Sequence, residues 1–226
     1  MIFFNYLRLI FGGLVFVLFS MPIFVISFIN KSWLYPLSSI IGKTVLKILG
    51  VRLIIEGSFP LGGPYIIMFN HTSFIDAFIF PAIVKGKYTG VTAKENFYIP
   101  VFSQILKRYN IIPIDRKNIK TAIQSLKKAE KHLNEGFHLG LLPEGSRSNS
   151  GSLRPFKKGG FHLAIHSQKP ILPIGINGAF EYKAKHSYKL QPGTVVVKIG
   201  NPIIINNNDT IEGLLNKTYE AIQKLC

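Results

Sequence analysis

Residues 9–29 form an apolar run without a single charge, LIFGGLVFVLFSMPIFVISFI. As one helix, these 21 residues would reach about 31 Å, roughly the thickness of a hydrocarbon core. A secretory signal needs a shorter apolar stretch and a small-residue cleavage site. The run is too long, and no such site follows. A run apolar on every face is a fully buried core helix or a membrane segment, and a chain this apolar and basic favours the membrane. A membrane-associated segment is therefore expected. Pro22 inside the run can kink a helix. A second apolar stretch, 33–49, carries only Lys43 and Lys47. The segment reads either as one span or as a two-helix hairpin in one leaflet. Lys31, Lys43, Lys47 and Arg52 follow closely and place the remainder on the cytoplasmic side.

Charge narrows the reading. Lys and Arg number 27 against 11 Asp and Glu, a net charge of +16 in 226 residues, yet charged residues are only 17% of the chain. An average soluble domain has about 25%. A chain both apolar and basic suits an anionic membrane surface, a phosphorylated substrate or nucleic acid. Its apolar content favours the membrane. The single cysteine, Cys226, excludes an internal disulfide and a cysteine zinc site, and no metal is expected.

Beyond residue 50 the pattern changes to short β-rich runs between helical stretches. Strands are predicted at 52–56, 65–69, 111–114, 137–142, 171–176 and 194–199. Helices are predicted over 120–135, with apolar residues at helical spacing, and over 209–225, with Asp209 and Glu212 as a capping box. The alternation predicts an α/β fold: a mixed sheet flanked by helices, carrying the N-terminal apolar helix or hairpin. Two units result, a membrane-associated segment at 1–50 and a folded domain at 51–226.

Chemistry concentrates at strand ends, where α/β folds place their sites. The second strand runs into Asn70-His71-Thr72-Ser73-Phe74-Ile75-Asp76. His71 and Asp76 are five apart, about 140° from one helical face, so they meet only if the chain bends between them. Ser73, a favoured helix cap, supplies the bend. A plain capping box from Ser73 to Asp76, with His71 an ordinary loop histidine, explains the same residues. Another strand ends in Pro143-Glu144-Gly145-Ser146-Arg147-Ser148, and a third in Asp115-Arg116. Each alone is a turn or a surface ion pair as readily as a site.

Together and in order, these blocks resemble the glycerolipid acyltransferase family that includes 1-acylglycerol-3-phosphate acyltransferases. NHTSFID at 70–76 looks like its His-x4-Asp motif, and IIPIDR at 111–116 looks like its second block. LPEGSRS at 142–148 looks like its third, with Ser146 where the family usually has Thr. PILPIGI at 170–176 looks like its apolar fourth. Lys94-Glu95, and the stretch from Gly151 through Leu153, Phe156 and Lys157 to Gly159, match in style. The resemblance covers about residues 50–200.

It implies transfer of an acyl chain from a thioester to a glycerol hydroxyl. His71 and Asp76 would be catalytic. Arg116 and Arg147 would clamp the acceptor phosphate, and Glu144 would orient the hydroxyl or hold Arg147. Gly145 and Ser146 would complete the binding turn, with amides near Gly145 as candidate oxyanion donors. Lys94 and Lys157 are further phosphate contacts. No cofactor is implied beyond the co-substrate, an acyl-carrier-protein or coenzyme A thioester; membrane lipids and lysophosphatidic acid are the other partners. Glycerol 3-phosphate and lysophospholipids remain alternative acceptors. His-x4-Asp sets the chain apart from the related lipid-A acyltransferases, which carry His-x4-Glu. A non-catalytic, membrane-anchored binder of lipid or nucleic acid is the rival class, prompted by the basic density over 116–131. Aromatics are not interleaved there, as single-strand binders require, and no nucleic-acid partner is expected.

Overall fold

The computed structural model describes residues 33–99, 102–115, 118–187 and 189–226, with Leu7, Ile10, Phe11, Gly13, Leu14, Leu18 and Val25. The span or hairpin expected of residues 9–29 lies for the most part outside the described residues. Among the described residues no helix is long and apolar enough to cross a membrane.

The second apolar stretch is α1 (Leu34–Ile48). It buries Leu34, Ser38, Ile41, Gly42, Val45 and Leu46, an amphipathic spacing that faces one core. It packs against α2 (Asp76–Ile83). The approach is close because Gly42 has no side chain: a Cβ there would sit 2.7 Å from the Phe78 carbonyl oxygen. The folded unit therefore reaches back to residue 34, where the sequence suggested part of a membrane hairpin. Trp33, Ile40, Lys43 and Lys47 remain on the outer face.

Among the described residues seven strands follow: β1 (Val51–Glu56), β2 (Ile66–Phe69), β3 (Tyr88–Ala93), β4 (Ile112–Ile114), β5 (His138–Leu141), β6 (Ile171–Asn177) and β7 (Gly193–Ile199). They form one sheet in the order β1-β7-β6-β2-β5-β3-β4. Strands β2 to β6 are parallel; β7 runs antiparallel to β6, and β1 lies parallel to β7. The expected mixed sheet is present. Strand β3 went unread, since Tyr88-Thr89-Gly90-Val91-Thr92-Ala93 carries a central glycine and no apolar run.

Every residue of β2 is buried, because helices cover both faces. Ile67 and Phe69 point into the core beneath α1 and α2. Ile66 and Met68 point into a second core with α4 (Ile119–Asn134), α5 (Gly159–Ser167) and α7 (Ile211–Leu225). The short helices α3 (Phe102–Arg108) and α6 (Ala179–Tyr182) complete the fold. Helix α7 is capped by Thr210, whose hydroxyl accepts from Gly213 N at 3.1 Å. Asp209, expected as the cap, accepts from Asn206 N instead.

Candidate active site

Strands β2, β5 and β6 are parallel neighbours, so their carboxyl ends open at one edge of the sheet. The chain leaving β2 is pinned there by Asn70. Its amide donates to the Ile176 carbonyl and accepts from Ile176 N, both at 2.8 Å. Asn70 thus extends the β2–β6 ladder by one side chain and delivers His71 beyond the sheet.

The bend between His71 and Asp76 is present, and α2 begins at Asp76. His71 Nδ1 lies 2.8 Å from Asp76 Oδ2. The same oxygen accepts from Thr72 N at 3.0 Å and Ser73 N at 3.1 Å. The expected catalytic pair and the capping contact are therefore one arrangement, since Asp76 caps the loop that carries His71. The other half of a capping box is absent, because Ser73 Oγ donates to the Lys183 carbonyl at 3.0 Å. Asp76 is 2% exposed, and Oδ1 is buried without a hydrogen-bond partner. A carboxylate only accepts, so Nδ1 carries the proton and Nε2 is left with its lone pair. Among the described residues Nε2 makes no hydrogen bond.

Glu144 arrives from the end of β5. It is 2% exposed, and both its oxygens go to backbone. Oε1 accepts from His71 N at 2.7 Å, and Oε2 from Arg154 N at 3.0 Å. Burial raises its pKa, and these two bonds, with His71 and Arg154 nearby, work against the rise. The carboxylate expected to face a hydroxyl or Arg147 clasps the His71 loop to the 143–154 loop instead. Ser148 N closes the clasp, donating to the His71 carbonyl at 2.7 Å.

Gly145 turns the chain at φ +74°, a left-handed conformation that suits glycine. Its N–H is committed to the Leu142 carbonyl at 2.9 Å, which removes that amide from the oxyanion candidates. The Lys157 stem lies across it, with Cγ 3.5 Å from where a Gly145 Cβ would stand. Ser146 Oγ accepts from Arg154 Nη1. Lys94 pairs with Asp115 at 2.6 Å, and that hydrogen bond raises its pKa. Arg116 lies outside the described residues.

His71, Asp76 and Arg147 open on a cavity of about 530 Å³ between the sheet and the α1–α2 layer. Its walls are mainly apolar, Ile41, Phe69, Phe78, Phe80 and Leu106 among them. Gly140 keeps the floor low, since a Cβ there would meet Phe80 Cζ at 2.6 Å.

Residues 50–177 match the family model described as Acyltransferase. The chain belongs to the acyltransferase family. It is 33% identical over 185 residues to a 1-acyl-sn-glycerol-3-phosphate acyltransferase of Cocos nucifera, covering 81% of this chain and 59% of that protein. It is 38% identical over 165 residues to one of Limnanthes douglasii, covering 73% and 59%. The chain thus spans about three fifths of the length of these curated relatives. The crystal structure of the 1-acyl-sn-glycerophosphate (LPA) acyltransferase PlsC of Thermotoga maritima shares the fold. It matches with a TM-score of 0.86 at 22% identity, over 99% of this chain and 94% of that one.

Around this site, sequence reasoning missed three contributors. Asn70 stood in the quoted motif without a role. Ser148 and Lys183 act through backbone atoms, whose partners no motif specifies.

Proposed function

We propose that this acyltransferase moves a fatty acyl chain from a thioester to the sn-2 hydroxyl of 1-acylglycerol 3-phosphate, yielding phosphatidic acid. The observation that carries this is the open Nε2 of His71, fixed through Nδ1 by Asp76 and facing an apolar cavity. His71 takes the hydroxyl proton as the oxygen attacks the thioester carbonyl. The C–O bond forms, the C–S bond breaks, and the imidazolium returns its proton to the leaving thiolate. Asp76 stabilises the imidazolium in between. General-base work of this kind supplies about 10²–10⁴-fold. No nucleophilic Ser or Cys is needed. The cavity accommodates an acyl chain, and Arg147 at its mouth offers a charge for phosphate. The names of the relatives support lysophosphatidate as the acceptor.

The donor is an acyl-carrier-protein or coenzyme A thioester, drawn in by the +16 charge. The domain works at a membrane, on its cytoplasmic side. Ile10, Phe11, Leu14, Leu18 and Val25 are each more than half exposed, which favours a lipid cover for these five side chains. Trp33 and Ile40 are 57% and 60% exposed beside Lys43 and Lys47, a composition suited to an interface.

The test offers lysophosphatidate, glycerol 3-phosphate and a neutral lysolipid as rival acceptors to full-length protein in membranes, with each thioester as donor. Phosphatidic acid should dominate the products. Acylation of glycerol 3-phosphate alone would overturn the acceptor assignment.

A further inference from the structure

Of the cations expected at the phosphate, Lys94 is already paired with Asp115. Another is tied to the His71 loop through its backbone. Lys183 follows α6, and its carbonyl is held by Ser73 Oγ, two residues beyond His71. Its ammonium lies over the Phe74 ring, 5.7 Å from the centroid. Phe74 lines the same cavity as His71 and Arg147. Among the described residues, no carboxylate forms an ion pair with Lys183 or with Arg147. Burial, and after it the Arg147 guanidinium, lower the Lys183 pKa. An ammonium over one wall of the cavity, Phe74, and a guanidinium on the same cavity's lining, neither with a carboxylate counter-ion, are an arrangement that an anion relieves.

We propose that Lys183 is a substrate-binding residue that, with Arg147, holds the acceptor's phosphate at the mouth of the His71 cavity. The guanidinium offers a planar fork and the ammonium a point charge, so the two grip a phosphate from different directions. The assignment rests on the acceptor reading above. A thioester donor also carries phosphate, on its pantetheine arm, and the test separates the two sources.

Three variants are compared with wild type: Lys183→Gln, Lys183→Arg and Lys183→Met. The methionine keeps an unbranched side chain of similar length and loses the charge and the N–H donors, so it serves if the glutamine variant melts early. The KM for lysophosphatidate should rise about tenfold in Lys183→Gln and Lys183→Met, the worth of one charge-assisted hydrogen bond. kcat and the donor KM should stay within about twofold, and Lys183→Arg should restore most of the loss. Glycerol 3-phosphate, the headgroup alone, is titrated calorimetrically into the same proteins and reads the site without turnover. Its affinity should fall by a similar factor. An unchanged headgroup affinity overturns the inference, and so does a rise confined to the donor KM. If wild type fails to acylate lysophosphatidate while Lys183→Gln still loses the headgroup, the acceptor reading falls and the phosphate site stands.

Discussion

Two histidines sit at opposite ends of neighbouring strands and meet opposite fates. His71 lies two residues past the carboxyl end of β2, and His138 opens β5 at the other edge. At His138 both ring nitrogens are spent on backbone. Nδ1 accepts from Tyr65 N at 3.0 Å, and the ring bonds the Lys85 backbone. The ring stacks on Tyr65 and is 6% exposed. Burial pushes its pKa down to about 4. At His71 one nitrogen goes to a carboxylate, and the other is left for the cavity. The side chain keeps 21% of its surface. Residue type does not separate a core histidine from a candidate base; the unspent nitrogen does.

The largest effect should come from His71→Ala. Initial-rate assays should show turnover down on the order of 10³-fold, with the melting temperature within a few degrees of wild type. Near-normal turnover would make His71 no more chemical than His138. Asp76→Asn comes next. An asparagine oxygen in the place of Oδ2 can still accept from Thr72 N, Ser73 N and the His71 Nδ1–H, but the neutral amide cannot stabilise an imidazolium. A loss of about 10²–10³-fold is expected in kcat. If the variant lost only thermal stability, Asp76 would be a loop cap alone.

The His–Asp pair was legible through the ordered blocks that resemble the family; the five-residue spacing added only that the two side chains meet if the chain bends. The strand ends that deliver it were legible from β-rich runs closed by Asn70 and Pro143. Glu144 was legible as a site residue, but its partners were not, because they are the backbone N–H groups of His71 and Arg154. Any residue at those positions offers the same donor. Helix α5 was unread for a different reason. It opens on Gly159 and Gly160, poor helix formers, and Gly160 is needed where a Cβ would meet Met68 Cε at 3.0 Å and Leu141 Cδ1 at 3.1 Å. Lys183 is 110 residues from Ser73, a separation no local pattern bridges.

Glu144→Gln sharpens the comparison from the backbone side. The amide can accept one of the two N–H groups, and its own N–H₂ then faces the other. Stability should fall by about 1–3 kcal/mol in a urea titration, the cost of a buried donor left unpaired. kcat/KM should drop about tenfold or more, because His71 loses its anchor. Unchanged kinetics with lowered stability would confine Glu144 to the scaffold, in the company of His138.

The smallest effect on turnover, and the clearest on stability, belongs to His138 itself. An ordinary histidine takes up its proton near pH 6.5, whereas the folded protein holds His138 neutral down to about pH 4. Between these values the unfolded chain binds a proton that the native protein does not. Stability must therefore fall as pH drops through 6.5 towards 4, by roughly 1.4 kcal/mol per unit, and the slope from this group must vanish below 4. His138→Asn places an oxygen near the position of Nδ1, keeps an acceptor for Tyr65 N–H and does not titrate. Urea midpoints measured from pH 7 to pH 4 should flatten in the variant by the equivalent of about 3 kcal/mol over that window. The variant starts lower at pH 7, because the ring that stacks on Tyr65 is gone. kcat at pH 7 should match wild type. A variant with the same pH slope as wild type would move the acid-sensitive group elsewhere, and a variant with lost turnover would join the two ends of the sheet that the geometry keeps apart.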